Sequence, residues 1–159
     1  MKVEQVMRQP VKTCRPEDTL NTAAQIMWEH DCGCVPVVDT EDRVVGMITD
    51  RDICMAAYTR GEPLLSLRVG DVMSKHLCTC RGDDTVANAE QMMRANQVHR
   101  LPIVDAADRL IGILSLNDLA QEARRETGAK RHEVTFTAVG ETLEGVCRPR
   151  HPHVIAAAA

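Results

Sequence analysis

Two short stretches of this chain are equipped to hold an anion and a sugar together. Thr49-Asp50-Arg51-Asp52 and Ser115-Leu116-Asn117-Asp118 each place a hydroxyl residue three positions ahead of an aspartate, after an apolar run that starts at a glycine, Gly46 or Gly112. A hydroxyl beside the first amides of a helix suits a phosphate, because a helix N-terminus presents unpaired N–H groups and the positive end of a dipole. A carboxylate one turn on can accept hydrogen bonds from both hydroxyls of a ribose. The same spacing also fits a plain capping box, in which the aspartate folds back onto the amide of its own cap residue.

The two stretches are equivalent because the chain is written twice. Val6-Met7 recurs as Val72-Met73, Asp18-Thr19 as Asp84-Thr85, Val38-Asp39 as Val104-Asp105, Asp42-Arg43 as Asp108-Arg109, Gly46 as Gly112 and Asp52 as Asp118, always at an offset of 66 positions. Such self-similarity fixes the architecture before anything else is read. One copy is too short to bury a large core, so the two pack their apolar faces against each other.

The elements that position the chemistry follow from local pattern. Asp18-Thr19 and Asp84-Thr85 supply helix-start residues, and apolar residues at helical spacing behind them predict helices over 19–30 and 85–96. Val35-Pro36-Val37-Val38-Asp39 and Leu101-Pro102-Ile103-Val104-Asp105, each with an acidic turn and a second apolar run over 43–48 or 109–114, read as hairpins of short strands. Short extended pieces are expected over 11–13 and 77–79, and closing helices over 50–58 and 116–125. The fold class is thus α/β (α+β), two repeated β-α-β-β-α units with pseudo-two-fold symmetry. Residues 1–62 form the first repeat and 63–126 the second, after a connector containing Gly61 and Pro63. Residues 127–159 form a C-terminal extension in which Val139, Leu143 and Val146 predict a short helix before Pro149, with the final alanines frayed.

Composition excludes several classes. The net charge is −4 and the basic residues are scattered, which argues against duplex nucleic acid. Trp28, Tyr58 and Phe136 are the only aromatic residues, too few for a base-stacking platform. No apolar run has membrane-spanning length and the N-terminus lacks a signal-peptide pattern, so a cytoplasmic chain away from membranes is expected. Seven cysteines, an odd number, speak against a disulfide scaffold. Walker, G-x-S-x-G and G-x-G-x-x-G motifs are absent, and Arg51 between Asp50 and Asp52 makes a poor acid–base pair, so the reading is not an enzyme.

With V-M, D-T, the hydrophobic-P-hydrophobic-V-D run and G-x-x-[ST]-x-x-D each present in duplicate, the stretch from Val3 to Arg125 resembles a tandem pair of CBS domains, a Bateman module. Val98-His99-Arg100-Leu101 with Ser115-Leu116-Asn117-Asp118 is similar to segments in the nucleotide-sensing subunit of AMP-activated protein kinase. The resemblance implies a regulatory module binding adenine nucleotides (AMP, ADP or ATP) or S-adenosylmethionine in clefts between the repeats, with no cofactor required. It implies two sites. The first would use Met47, Thr49, Arg51 and Asp52, facing Cys78, Thr79, Val98, His99 and Arg100. The second would use Ile113, Ser115, Asn117 and Asp118, facing Lys12, Thr13, Cys32, Gly33 and Cys34. Arg51, His99 and Arg100 suit phosphate, so the first site is expected to favour charged nucleotides and the second to be weaker or to take a less phosphorylated ligand. A homodimer formed through exposed helices and an unknown effector protein are the expected partners.

The rival reading is metal or redox sensing. Cys32-x-Cys34 and Cys78-x-Cys80 with His30, His76 and His99 offer soft ligands, and Cys147 lies near His151 and His153. The C-x-C spacing differs from the C-x-x-C of zinc knuckles, and thiols within apolar strands also read simply as buried packing residues.

Overall fold

A computed structural model describes residues 1–128 and 133–149. Hydroxyl residues start each of the described α-helices. Thr19, Thr49, Thr85, Ser115 and Thr135 are each extended, and each side chain accepts a hydrogen bond from the amide three residues on. They open α1 (Leu20–Glu29), α2 (Asp50–Arg60), α3 (Val86–Asn96), α4 (Leu116–Glu126) and α5 (Phe136–Cys147).

Between the helices of each repeat lies an antiparallel hairpin, β1 (Cys34–Val38) with β2 (Val44–Thr49), and β4 (Arg100–Val104) with β5 (Leu110–Ser115). Asp39 and Asp105 set the turns. Asp39 Oδ1 accepts from the Glu41 and Arg43 amides at 2.8 and 2.9 Å, and Asp105 Oδ1 from the Ala107 and Arg109 amides at 2.8 and 3.0 Å. Asp42 and Asp108 then adopt the left-handed conformation, φ 60° in both, which a short polar side chain tolerates. The repeated V-D and D-R pairs encode this turn.

The first strand of each repeat is shorter than the extended pieces suggest, and it falls just after them. β3 (Cys80–Arg81) pairs parallel to β4, whereas in the first repeat only the single bridge Cys14 to Val37 forms. The buried side chains of Cys14 and Cys80 set the register. Asp18 and Asp84 stop the strands by accepting the Arg15 and Arg81 amides at 2.7 and 2.9 Å.

The bridges between repeats obey the offset reciprocally. Lys2 pairs with Thr85 and Arg68 with Thr19, Arg8 with Ile113 and Ser74 with Met47, and Arg43–Arg109 maps onto itself. Reciprocal pairing of this kind is the signature of a two-fold relation. It also shows that the repeats exchange their opening turns. Val3 is buried in the core of the second repeat with Val86, Met93, Leu101 and Leu114, and Val69 in that of the first with Leu20, Val35 and Ile48. The exchange explains the repeated V-M and glycine. A Cβ at Gly46 would collide with the Met73 side chain, and one at Gly112 with Met7. The absence of a side chain there lets each methionine lie across the other repeat's strand.

α2 ends at Gly61, whose φ of 65° supplies the left-handed stop. The connector continues as 3₁₀ turns at Leu64–Ser66 and Val69–Asp71. α5 packs on α3 and α4, with Val134, Val139 and Val146 joining the second core. The final alanines, His151 and His153 lie outside the described residues.

Candidate functional site

β2 runs directly into α2 and β5 into α4, so Thr49 and Ser115 are at once the last strand residue and the helix cap. Both junctions form a complete capping box. Asp52 Oδ2 accepts from the Thr49 amide at 2.9 Å and its hydroxyl at 2.7 Å, and the Asp52 amide returns a bond to Thr49 Oγ1 at 3.1 Å. Asp118 Oδ2 accepts from the Ser115 amide at 2.9 Å and its hydroxyl at 2.5 Å, with the Asp118 amide 3.3 Å from Ser115 Oγ. One oxygen of each carboxylate is thereby used locally.

The other oxygens differ. Asp118 Oδ1 accepts a hydrogen bond from Arg8 Nε, and the Asp118 side chain is only 5 % exposed. Ser74 is the two-fold counterpart of Arg8, and among the described residues no side chain bonds Asp52 Oδ1. Arg8 has no signal in the sequence spacing, because its partner is 110 positions away.

The opening segments of each repeat are drawn against the other repeat's closing strand. Ile113 exchanges backbone hydrogen bonds with Arg8 at 2.8 and 3.1 Å, and Met47 with Ser74 at 2.9 and 3.1 Å. Lys12 and Thr13 run from the Arg8 bridge to the pairing of Cys14 within its own repeat. Cys78 and Thr79 run from Ser74 to Cys80 in the same way.

His99 and Arg100 line a cleft of about 390 Å³ with Ser115, Leu116 and Asn117 of their own repeat. The Leu116 amide donates to the His99 carbonyl at 3.1 Å, as the Asp50 amide does to Gly33. Val98 packs against the second core. Cys32 and Gly33 border a separate cavity of about 490 Å³ with Met27, Trp28, Asp31 and Asp50. Asp52 lines a third, of about 240 Å³, with Arg60 and Asp71 among its walls. Arg51 is exposed at the first turn of α2. The two repeats meet at Gly33, where a Cβ would lie 3.1 Å from Asp50 Oδ2 and 3.9 Å from Arg100 Nη2. Arg100 of the second repeat thus reaches the first, as expected, but beside Gly33, a residue expected in the other seat.

The strand thiols are held protonated. Burial pushes the Cys34 thiol up to about 11, partly opposed by the Arg100 charge. Cys14 and Cys80 are pushed up to about 12, both chiefly by burial, and Cys80 Sγ also donates to Asp84 Oδ2 at 3.2 Å. Burial raises Cys78 as well. A thiol so protected is a poor nucleophile and a poor metal ligand. Among the described residues no three His, Cys, Asp or Glu side chains gather to hold a metal. No described helix is long and apolar enough to cross a membrane.

Fold and site together define a tandem-repeat protein whose two α/β units exchange opening turns about a two-fold and carry matching strand-to-helix junctions. Residues 3–58 and 69–125 each match the CBS domain, and the chain belongs to that family. It is 37 % identical over 118 residues to the CBS domain-containing protein YhcV of Bacillus subtilis, covering 74 % of this chain and 82 % of that protein. It is 36 % identical over 130 residues to inosine-5'-monophosphate dehydrogenase of Methanocaldococcus jannaschii, covering 81 % of this chain but 25 % of that much longer protein. Among solved structures, Hypoxic Response Protein I with two coordinated zinc ions superposes with a TM-score of 0.70 at 29 % identity, covering 76 % of this chain and 98 % of that one. CBSX2 in complex with AMP superposes at 0.70 and 26 %, covering 79 % and 98 %.

Proposed function

We propose that this CBS pair is a regulatory module that binds an adenosyl ligand, AMP, ADP, ATP or S-adenosylmethionine, between its repeats and signals to an effector protein. The observation that carries the reading is the pair of aspartates at two-fold-related junctions, each beside a strand bridged to the other repeat. CBSX2, a relative of the same architecture, was solved with AMP. The ribose hydroxyls would bond the carboxylate oxygen that the cap does not use. In the first seat Met47 and Thr49 face Cys78 and Thr79; in the second Ile113 and Ser115 face Lys12 and Thr13. Adenine lies against the strand backbone and aliphatic side chains, and the phosphates point to the place where Arg100 approaches Gly33, with His99 beside it. Arg51 and Asn117 complete the two seats unequally. A ligand that bridges the repeats changes their relative tilt, and a partner reads that tilt. The module acts by binding rather than catalysis, in the cytoplasm, and self-associates.

A thermal-shift panel of AMP, ADP, ATP, S-adenosylmethionine and NAD tests the reading. A ligand selective for the native fold raises Tm by mass action, and the reading expects this of at least one adenosyl compound. A flat response to all five counts against it.

Metal sensing is the second reading. It is favoured by the zinc-bound relative and by Cys147 Sγ standing 4.0 Å from His99 Nε2, where the C-terminal helix ends. Metal content of the protein purified under reducing conditions separates the two.

A further inference from the structure

The two repeats diverge where the C-terminal helix touches the second. Along α3 and into β4 the second repeat has Glu90, Arg94, Gln97 and His99 where the first has Ala24, Trp28, Asp31 and Gly33. Each of the four meets α5 or the residue that ends it. Arg94 donates to Thr142 Oγ1 at 2.8 Å, and Gln97 Nε2 donates to the Arg148 carbonyl at 2.8 Å. His99 Nε2 stands 4.0 Å from Cys147 Sγ. Glu90 is buried on α3, with Glu141 of α5 close enough to act on its charge. The helix is thus fastened to the segment 97–100, which carries the proposed phosphate residues His99 and Arg100.

The seat of α5 combines close packing with built-in defects. A Cβ at Gly145 would sit 2.9 Å from Arg94 Cγ. Yet Glu90 Oε1 is buried without a hydrogen-bond partner among the described residues, and a cleft of about 700 Å³ runs between α3 and α5, with Gln97 and Arg148 in its walls. A buried unsatisfied carboxylate costs stability, and a helix seated over one is among the first parts of a fold to open. Gln97 adds strain of its own. It is left-handed, φ 50°, a conformation that its twin Asp31, φ 48°, adopts more readily as a short polar residue. Strain of this kind persists where neighbouring contacts enforce it, and the bond from Gln97 to Arg148 is one of them.

We propose that α5 is the element that reports ligand occupancy: its last turn and a bound phosphate compete for His99, so that a nucleotide releases the end of the helix from α3. The competition is chemical, since an imidazole Nε2 engaged by a thiol is not free to donate to a phosphate oxygen. It is also reciprocal: if the ligand loosens the helix, the docked helix weakens the ligand by the same factor. The proposal rests on the nucleotide reading above and adds to it the part of the chain that moves. Gly33 stands in place of His99 in the first repeat, so the signal leaves from the second.

The test uses the whole chain with EDTA present, so that no metal is shared by Cys147 and His99. Hydrogen exchange of the α5 amides is followed by mass spectrometry, with and without AMP at an occupancy fixed by calorimetry. AMP is expected to speed exchange in the last turn of α5 roughly two- to tenfold, the scale of one lost hydrogen bond, while β4 and β5 exchange no faster. Gln97→Gly suits the left-handed backbone and removes the donor. It is expected to speed the same amides without nucleotide and to tighten AMP binding by a similar factor. AMP that binds while the α5 amides are unchanged or slowed overturns the proposal and leaves the nucleotide reading standing. A Gln97→Gly chain whose α5 exchange or AMP affinity matches the wild type overturns it in the same way. AMP that does not bind removes the nucleotide reading and this proposal together.

Discussion

Arg8, near the start of the chain, donates a hydrogen bond to Oδ1 of Asp118, the carboxylate oxygen left over by the helix cap of the second repeat. The bond crosses between repeats and has no twin among the described residues, because Ser74 stands where a second arginine would be needed to reach Asp52. At one proposed ribose seat a side chain therefore takes the free carboxylate oxygen, and at the other no described side chain does.

This asymmetry predicts that Arg8→Ala tightens adenosyl-ligand binding at the second seat. Removing a charge-assisted competitor for Asp118 is expected to strengthen binding there by roughly three- to tenfold, a gain of about 1 kcal/mol. Calorimetric titration of Arg8→Ala in an Asp52→Ala background isolates that seat. Unchanged or weaker affinity would show that Arg8 does not compete.

The exchange of opening turns predicts a cost at the glycines that permit it. Gly46→Ala forces a Cβ into Met73, with the Ser74 carbonyl 3.2 Å behind it, and Gly112→Ala does the same to Met7 and the Arg8 carbonyl at 3.2 Å. Overpacking of this kind costs about 1–3 kcal/mol. Thermal melts should show similar losses for the two variants, since the two contacts are two-fold equivalents. A neutral result at either would mean that its methionine is loosely held.

Glu90 predicts a pH dependence. It is buried on α3, its Oε1 has no hydrogen-bond partner among the described residues, and burial raises its carboxyl above the ordinary value of about 4.5, with Arg94 opposing and Glu141 adding to the rise. In the window between 4.5 and the raised value the folded chain holds this proton more tightly than the unfolded chain. The contribution is present in full below the window and is lost as pH rises through the folded value. Glu90→Gln removes the cost of the buried charge, so at neutral pH it should stabilise by about 1 kcal/mol. The gain should vanish near pH 4. Melting curves at both pH values check it; equal gains at both would assign the effect to something other than ionisation.

Much of this fold could be read from the chain because it rests on local chemistry. The caps Thr19, Thr85, Thr49 and Ser115 lie beside apolar runs, and Asp39 and Asp105 announce their turns, so helices and hairpins fall within a few residues of expectation. The helix in the C-terminal extension was legible too, although Val139 and Val146 face the core while Leu143 stays 49 % exposed. The exchange of opening turns was not, since Val6-Met7 and Val72-Met73 are equally compatible with packing on either repeat. At the junctions the capping-box reading of S/T-x-x-D is realised in full, and it uses one carboxylate oxygen of each aspartate; the sugar-binding reading stands as the proposal above. The approach of Arg100 to Gly33 and the bond from Arg8 to Asp118 depend on long side chains crossing between repeats, which spacing does not encode.

The central claim is that Asp52 and Asp118 grip an adenosyl ligand between the repeats. Isothermal titration of AMP into the wild-type chain, Asp52→Ala and Asp118→Ala measures it most directly. The account predicts saturable binding to the wild type, with the larger loss in Asp52→Ala, although each variant also gives up about 1 kcal/mol of helix-cap stability. Binding that is unaltered in both variants, with their folds intact, would contradict it.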